Sequence, residues 1–321
     1  MSSVVSLALP YFGMIFIGFF CGKLMKIDED GLKWMSFYLI YVALPCLFYR
    51  LIAPTPAAEL ANWHFIVITT VSTYSAFALS FVIGLFFTRG KVRESAIQGF
   101  LGCYSNIGYM GPGLTLGALG PAATVPTALI MVFDNLLMFT LLPLMMGLAT
   151  SESMKLGETM RFIVKRIAAH PFNIASLLGV IAALLQIRLP EALDKMTAWL
   201  AGSAAPVALF TLGVTIALRP WRGVSREAPA HMIIKLLLHP LLVWTLLGMV
   251  GGFEPVWVYT AMLMAALPPA LNVFIMARQY DVYVEGASTG VLAGTIASVV
   301  TVTALLLLIA SGSLPPSPFS R

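Results

Sequence analysis

The stretch "SNIGYMGPGL", residues 105–114, lies inside an apolar run long enough to cross a bilayer. It places Asn106, Gly108, Gly111, Pro112 and Gly113 at the middle of what should be a membrane helix. Proline removes a backbone donor and glycine loosens the helix. Hydrocarbon offers no partner to the backbone groups so released. The break must therefore face something other than lipid, and the fold depends on what that is.

The chain supports the membrane reading throughout. It has 321 residues, of which 59% are hydrophobic and 10% charged. Its mean hydropathy is +0.91, whereas soluble domains carry about 25% charged residues. No charged stretch is long enough for a second, soluble domain. The net charge of +5 does not indicate a nucleic-acid partner, because the basic residues are scattered through short loops. Cys21, Cys46 and Cys103 all fall in apolar spans without metal-ligand spacing and read as small buried residues. No Lys or Arg precedes Lys23, so the first segment lacks the positive region of a signal peptide and is expected to be retained.

Ten segments approach the length of about 20 apolar residues that a span needs. They are 4–22, 32–52, 64–87, 94–118, 124–149, 171–187, 199–218, 231–251, 256–278 and 286–310. Loops after the odd-numbered segments hold Lys23, Lys26, Lys33, Arg89, Lys91, Arg93, Lys155, Arg161, Lys165, Arg166, Arg219, Arg222, Arg226 and Arg278. The other side holds only Arg50, Arg188, Lys195 and Arg321, and Lys235 is expected to snorkel to the richer side. The positive-inside rule then puts the odd loops in the cytoplasm and both termini outside.

Five helices per half would turn the second half upside down. Pro10 and Pro45 are 35 residues apart, as are Pro171 and Pro206. Gly18 and Gly179 follow Pro10 and Pro171 by eight residues each. One offset, 161, relates all three pairs and points to a weak internal repeat. The expected organisation is a first repeat over 1–150, a cytoplasmic linker over 151–170, an inverted repeat over 171–310 and a flexible tail over 311–321.

Helix 4 starts near Glu94 and reaches the midplane about ten residues later, where its break begins. Helix 9 enters from the other side and reads "ALPPALNVF", with Pro268, Pro269 and Asn272 at similar depth. Two breaks in corresponding helices can face each other and a polar cavity. Each creates a half-helix N-terminus with unpaired N–H groups and a positive dipole end. Together they make an anion site that needs no arginine. Asn106 and Asn272 can donate and accept there, and Gly111 and Gly113 let a ligand approach the backbone. The alternative is a pair of proline kinks that only shape the bundle.

Asp134, in "TALIMVFDNLLMFTLLPL", is the only acid well inside a span. Burying it ionised without a partner is costly. It reads as a proton acceptor or a substrate-orienting carboxylate, with a structural, hydrogen-bonded Asp as the alternative. His64 and His231 lie at span ends, where interfacial packing is expected, and His170 at a cytoplasmic helix start. His239 reads as structural, with a proton relay as the alternative. Trp63, Trp199, Trp221 and Trp257 fit an interfacial belt. The sequence has no GxxxxGK[ST] loop and no HExxH motif, so neither an ATP-driven pump nor an enzyme is expected.

The chain resembles the auxin efflux carrier family, in its bacterial branch of malonate and malate permeases. The resemblance spans nearly the whole sequence and rests on "SNIGYMGPGL", "VFDNLLMFTLLPL" and "LPPALNVFIMARQYDVYVEGAS". It implies an all-α integral membrane fold of ten helices in two inverted five-helix repeats, with helices 4 and 9 broken and crossing, similar to the bile acid–sodium symporters. It further implies a scaffold of helices 1, 2, 6 and 7, a moving core of helices 3–5 and 8–10, and homodimers formed through the scaffold. Carried over, Asn106 and Pro112 match the first crossover, and Pro268, Pro269 and Asn272 the second. Residues 150–170 are short where plant carriers have a long hydrophilic loop, so auxin and phosphorylation control do not carry over.

The function expected is secondary transport of a small organic carboxylate across a bacterial cytoplasmic membrane by alternating access, without a cofactor. The substrate would sit among Asn106, Gly111, Pro112, Gly113, Pro268, Pro269 and Asn272. Protons would couple through Asp134, or the protein would be a uniporter, since no cluster of acids suggests a sodium cage. The competing class is a transporter-like membrane sensor that signals through partners.

Overall fold

The computed structural model describes residues 2–25, 29–148, 161, 171–218 and 223–319. Among these the chain is helical, with no strand. Six helices are long and apolar enough to cross a membrane: Gly31–Ile52, Trp63–Phe87, Pro121–Gly147, Glu191–Leu218, Ala228–Val250 and Val284–Ala310. Phe12–Met25, Asn173–Leu185 and Pro255–Ala266 are shorter apolar helices. The linker expected over 151–170, apart from Arg161, lies outside the described residues, as do His170 and Trp221.

The helices divide into two compact units, each drawing on both halves of the chain. The first comprises Met1–Trp63, Gly108–Val132 and Ala168–Pro220; the second comprises His64–Ile107, Phe133–Ile167 and Trp221–Arg321. Residues 108–132 therefore pack with the first unit, whereas the resemblance would keep helices 4 and 5 whole in the core.

In the first unit, α1 (Ser2–Met25) packs along α10 (Glu191–Leu218). A Cβ on Gly18 would fall 2.1 Å from the Phe210 carbonyl oxygen, and one on Gly213 would fall 2.0 Å from that of Ile15. Only glycine allows the two backbones to approach so closely, and in a membrane such contact is what holds helices together. The second pairing joins α3 (Leu44–Ile52) to α9 (Pro171–Leu185). There a Cβ on Gly179 would meet Ile52 Cβ at 2.9 Å and Tyr49 O at 3.4 Å. Gly18 and Gly179 differ by 161 in number, and so do Tyr49 and Phe210. The offset read from the prolines thus relates two contacts in space. Arg50 closes this unit's edge with an ion pair to Asp194 and a 3.1 Å bond to Thr197.

α2 (Glu29–Tyr38) runs through a π turn, Leu39–Ala43, into α3. α4 (Ala57–Leu60) is a single turn. α7 (Gly111–Leu119) belongs to the first unit with the first part of α8 (Thr124–Leu148). Thr115 and Thr127 join the two through a 2.8 Å hydroxyl contact.

The second unit holds α5 (Trp63–Phe87), α6 (Val92–Cys103) and α11 (Ala228–Ile233). A π turn, Ile234–Leu238, joins α11 to α12 (His239–Val250). The later part of α8, from Phe133, with α13 (Pro255–Ala266), α14 (Leu271–Tyr280) and α15 (Val284–Ala310), completes it. Phe65 packs edge-on to Trp257 at 4.8 Å, and Phe77 lies 4.9 Å from Phe100. Residues 311–319, read above as part of a flexible tail, instead return to the unit. Tyr259 donates to Leu314 O at 2.7 Å and Trp244 Nε1 to Pro315 O at 3.0 Å.

Tyr283 sits in the turn before α15 and donates its hydroxyl proton to Glu227. Burial, reinforced by that carboxylate, pushes the phenol well above its ordinary range. It is a neutral strap across the loop, which accounts for one residue of the stretch that carries the family resemblance.

Candidate functional site

Two helices of the second unit fail at matching points. α6 ends at Cys103, and Tyr104 turns extended with φ −78° and ψ 107°. α13 ends at Ala266, and α14 begins after Ala270, itself extended with φ −70° and ψ 147°. The two extended pieces lie antiparallel and pair through Ser105 and Pro269. Asn106 N donates to Pro268 O at 2.8 Å, and Ala270 N donates to Tyr104 O at 3.0 Å. Backbone released by one break is thus taken up by the other, which is how a membrane protein can keep non-helical chain at depth. Proline fits at 268 and 269 because the exchange takes the Pro268 carbonyl and the Ala270 N–H, and requires an N–H from neither proline.

Side chains at the pairing are buried and polar. Ser105 is fully buried and Asn106 is 1% exposed. The Ser105 hydroxyl and both polar atoms of the Asn106 amide lack a protein partner. A buried amide without partners costs about 1–3 kcal/mol, so a position that keeps one is a candidate ligand contact. No side chain caps the N-terminus of α14, nor that of α7. Asn272 lies half-buried in the first turn of α14. Pro268 and Pro269 join Asn106 directly. Gly111, Pro112 and Gly113 form the first turn of α7, which packs in the first unit.

The pairing is tied to α8 by Tyr104, whose hydroxyl donates to Asn135 Oδ1 at 2.5 Å. Beside Asn135, Asp134 is 4% exposed. Thr73 of α5 donates to Asp134 Oδ1 at 3.1 Å and contacts His239 Nε2 at 3.3 Å. His239 Nδ1 lies 3.5 Å from Lys235 Nζ, which donates to the backbone carbonyl of Ala265. Lys235 is fully buried in the π turn and does not snorkel. The reason is local: a last-turn carbonyl of the broken helix α13 sits within its reach, so the ammonium has a polar partner inside the unit.

His231, expected at an interface, is also fully buried. Its Nδ1 lies 2.7 Å from Ser80 Oγ and its Nε2 2.9 Å from Gln98 Oε1. The spacing 231, 235, 239 puts three basic side chains on one face of one helix, a signal that was present in the sequence. Thr73, Ser80, Gln98 and Asn135 carried no comparable signal, because each becomes polar lining only when its helix is packed. Trp63 and Trp199 are exposed, as belt residues are, while Cys21 and Cys46 are only half-buried.

Described residues that are helical throughout, with six membrane-length helices among them and a buried polar pairing where two helices break, place the chain in the class of multi-pass membrane transporters. The family described as "Membrane transport protein" matches residues 3–306, and the chain belongs to it. A Rhizobium meliloti protein named "Putative malonate transporter" is 45% identical over 319 residues, covering 99% of this chain and all of that protein. The "Uncharacterized transporter YfdV" of Escherichia coli K12 is 24% identical over 91% of this chain and 93% of its own length. "Auxin efflux carrier component 8" of Arabidopsis thaliana is 29% identical over 47% of this chain and 43% of its own. The family match and the Rhizobium relative cover nearly the whole sequence, the same extent as the resemblance read from it.

Proposed function

We infer that this protein is a secondary transporter of a small organic carboxylate, with malonate as the first substrate to test. The observation that carries the reading is the antiparallel exchange between residues 104–106 and 268–270, where the Asn106 amide and Ser105 hydroxyl are buried without protein partners. Such a point, with the uncapped start of α14 beside it, offers N–H groups and a positive dipole end to an anion. The name of the Rhizobium relative favours malonate. Asn106, Pro268, Pro269 and Asn272, all of the second unit, bind the carboxylate.

Ten helices in two inverted repeats, similar to the bile acid–sodium symporters, are the architecture we assign. The matched contacts Gly18–Phe210 and Gly179–Tyr49 support it. Alternating access carries the substrate across, and the protein pairs as a dimer in the bacterial cytoplasmic membrane with both termini outside. Asp134 accepts the coupling proton. Countertransport of labelled malonate by the purified protein in liposomes tests the reading, alongside a panel of mono- and dicarboxylates. Saturable exchange of one class is expected; no exchange of any carboxylate would remove the assignment.

A further inference from the structure

The buried lysine has no role in the reading above, and its surroundings define one. α13 stops at Ala266, so its last carbonyls carry the negative end of a helix dipole into the interior of the unit. In membrane transporters with broken helices, carbonyl ends of this kind can coordinate a free alkali cation. Here the Lys235 ammonium donates to one of these carbonyls, that of Ala265.

The remaining contacts lead from the ammonium to a carboxylate. Lys235 has only protons to give, so it donates to His239 Nδ1 at 3.5 Å. His239 then holds its own proton on Nε2, facing Thr73 Oγ1 at 3.3 Å. The single hydroxyl proton of Thr73 has Asp134 Oδ1 at 3.1 Å and Thr69 O at 3.2 Å as acceptors. Lys235, His239 and Thr73 thus form a continuous chain of polar contacts between the ammonium and the carboxylate. The π turn that holds Lys235 is a further sign, since single π turns within helices recur at functional sites. A lysine on a lipid-facing position would gain none of these partners.

We propose that Lys235 is a built-in cation of the anion site, holding the carbonyl end of α13 and balancing Asp134 where a free sodium ion would otherwise be bound. Anion binding at the helix crossing then needs no sodium. The proposal rests on the transport reading for its meaning but not for its test.

Thermal unfolding of the purified full-length protein in detergent decides it, with sodium chloride compared against choline chloride at equal ionic strength. The wild type should unfold at the same temperature in both. Lys235→Ala should unfold at a lower temperature, and sodium or propylammonium should recover part of the loss, whereas choline is too bulky to enter. A sodium-dependent rise in the wild type, or a variant indifferent to both small cations, overturns the assignment. Should Lys235→Ala not survive purification, Lys235→Met and Lys235→Arg replace it. Malonate binding should fall about 5- to 150-fold in the first, the usual range for coupled sites, and largely persist in the second. Binding by Lys235→Met equal to the wild type overturns the proposal. A wild type that binds no malonate removes that substrate, while the cation dependence of unfolding still decides Lys235.

Discussion

Asn106 and Asp134 are both buried and polar, but they differ in what surrounds them. The Asn106 amide finds no protein partner, so its removal should leave folding intact and weaken the ligand. Asn106→Ala is expected to lose about 1–3 kcal/mol of carboxylate binding, roughly five- to 150-fold. Equilibrium binding to the folded variant checks this, and unchanged affinity would leave residue 106 as a shaping residue only. Asp134 is held by Thr73, and Asp134→Asn keeps the shape of that contact while removing titration. Malonate should still exchange across vesicles containing Asp134→Asn, but an imposed pH gradient should no longer drive its accumulation. Accumulation equal to the wild type would make Asp134 structural.

Close contacts between elements set the next scale. Gly294 of α15 lies beneath the second break: a Cβ there would fall 2.5 Å from Pro269 Cδ and 2.7 Å from Met232 Sδ. Gly294→Val should therefore push residues 268–270 away from Tyr104 and Asn106, costing about 1–3 kcal/mol of stability as overpacking does. Transport should fall further than the stability loss explains, and flux normalised to folded protein measures the difference. In the first unit, Gly18→Ala should destabilise by a similar route, because its Cβ would meet the Phe210 backbone. Gly13→Ala is the control, with open space around the added carbon. Equal melting temperatures for the two alanine variants would contradict the close packing of α1 on α10.

At the scale of the whole molecule, the distribution of basic residues predicts the orientation. Fourteen Lys and Arg follow the odd-numbered segments and four lie on the opposite side, which the positive-inside rule turns into external termini. In a background lacking Cys21, Cys46 and Cys103, a membrane-impermeant thiol reagent applied outside should label Ser3→Cys and Ser313→Cys but not Ser153→Cys. The reverse pattern would place both termini inside. It would leave the helix crossing intact and exchange only the faces from which it opens.

The membrane class, the helix breaks around Asn106 and at Pro268 and Pro269, and the isolation of Asp134 among apolar neighbours in sequence were all legible. Each depends on composition or local backbone chemistry: apolar run length, proline's missing donor, one acid among apolar neighbours. The offset of 161 was legible too, as a spacing of Pro10, Pro45, Pro171 and Pro206. Its spatial counterpart, Gly18 on Phe210 and Gly179 on Tyr49, was not. Tertiary structure alone decided that Lys235 turns inward, because a lysine near a span end reads as snorkelling until a carbonyl is found within reach. It alone paired Tyr104 and Asn106 with Pro268 and Ala270, and it alone joined Thr73, Asp134 and His239 from three separate helices. Sequence records where a backbone must break and where a charge is out of place; the partner that satisfies either one lies far along the chain, and only packing brings it near.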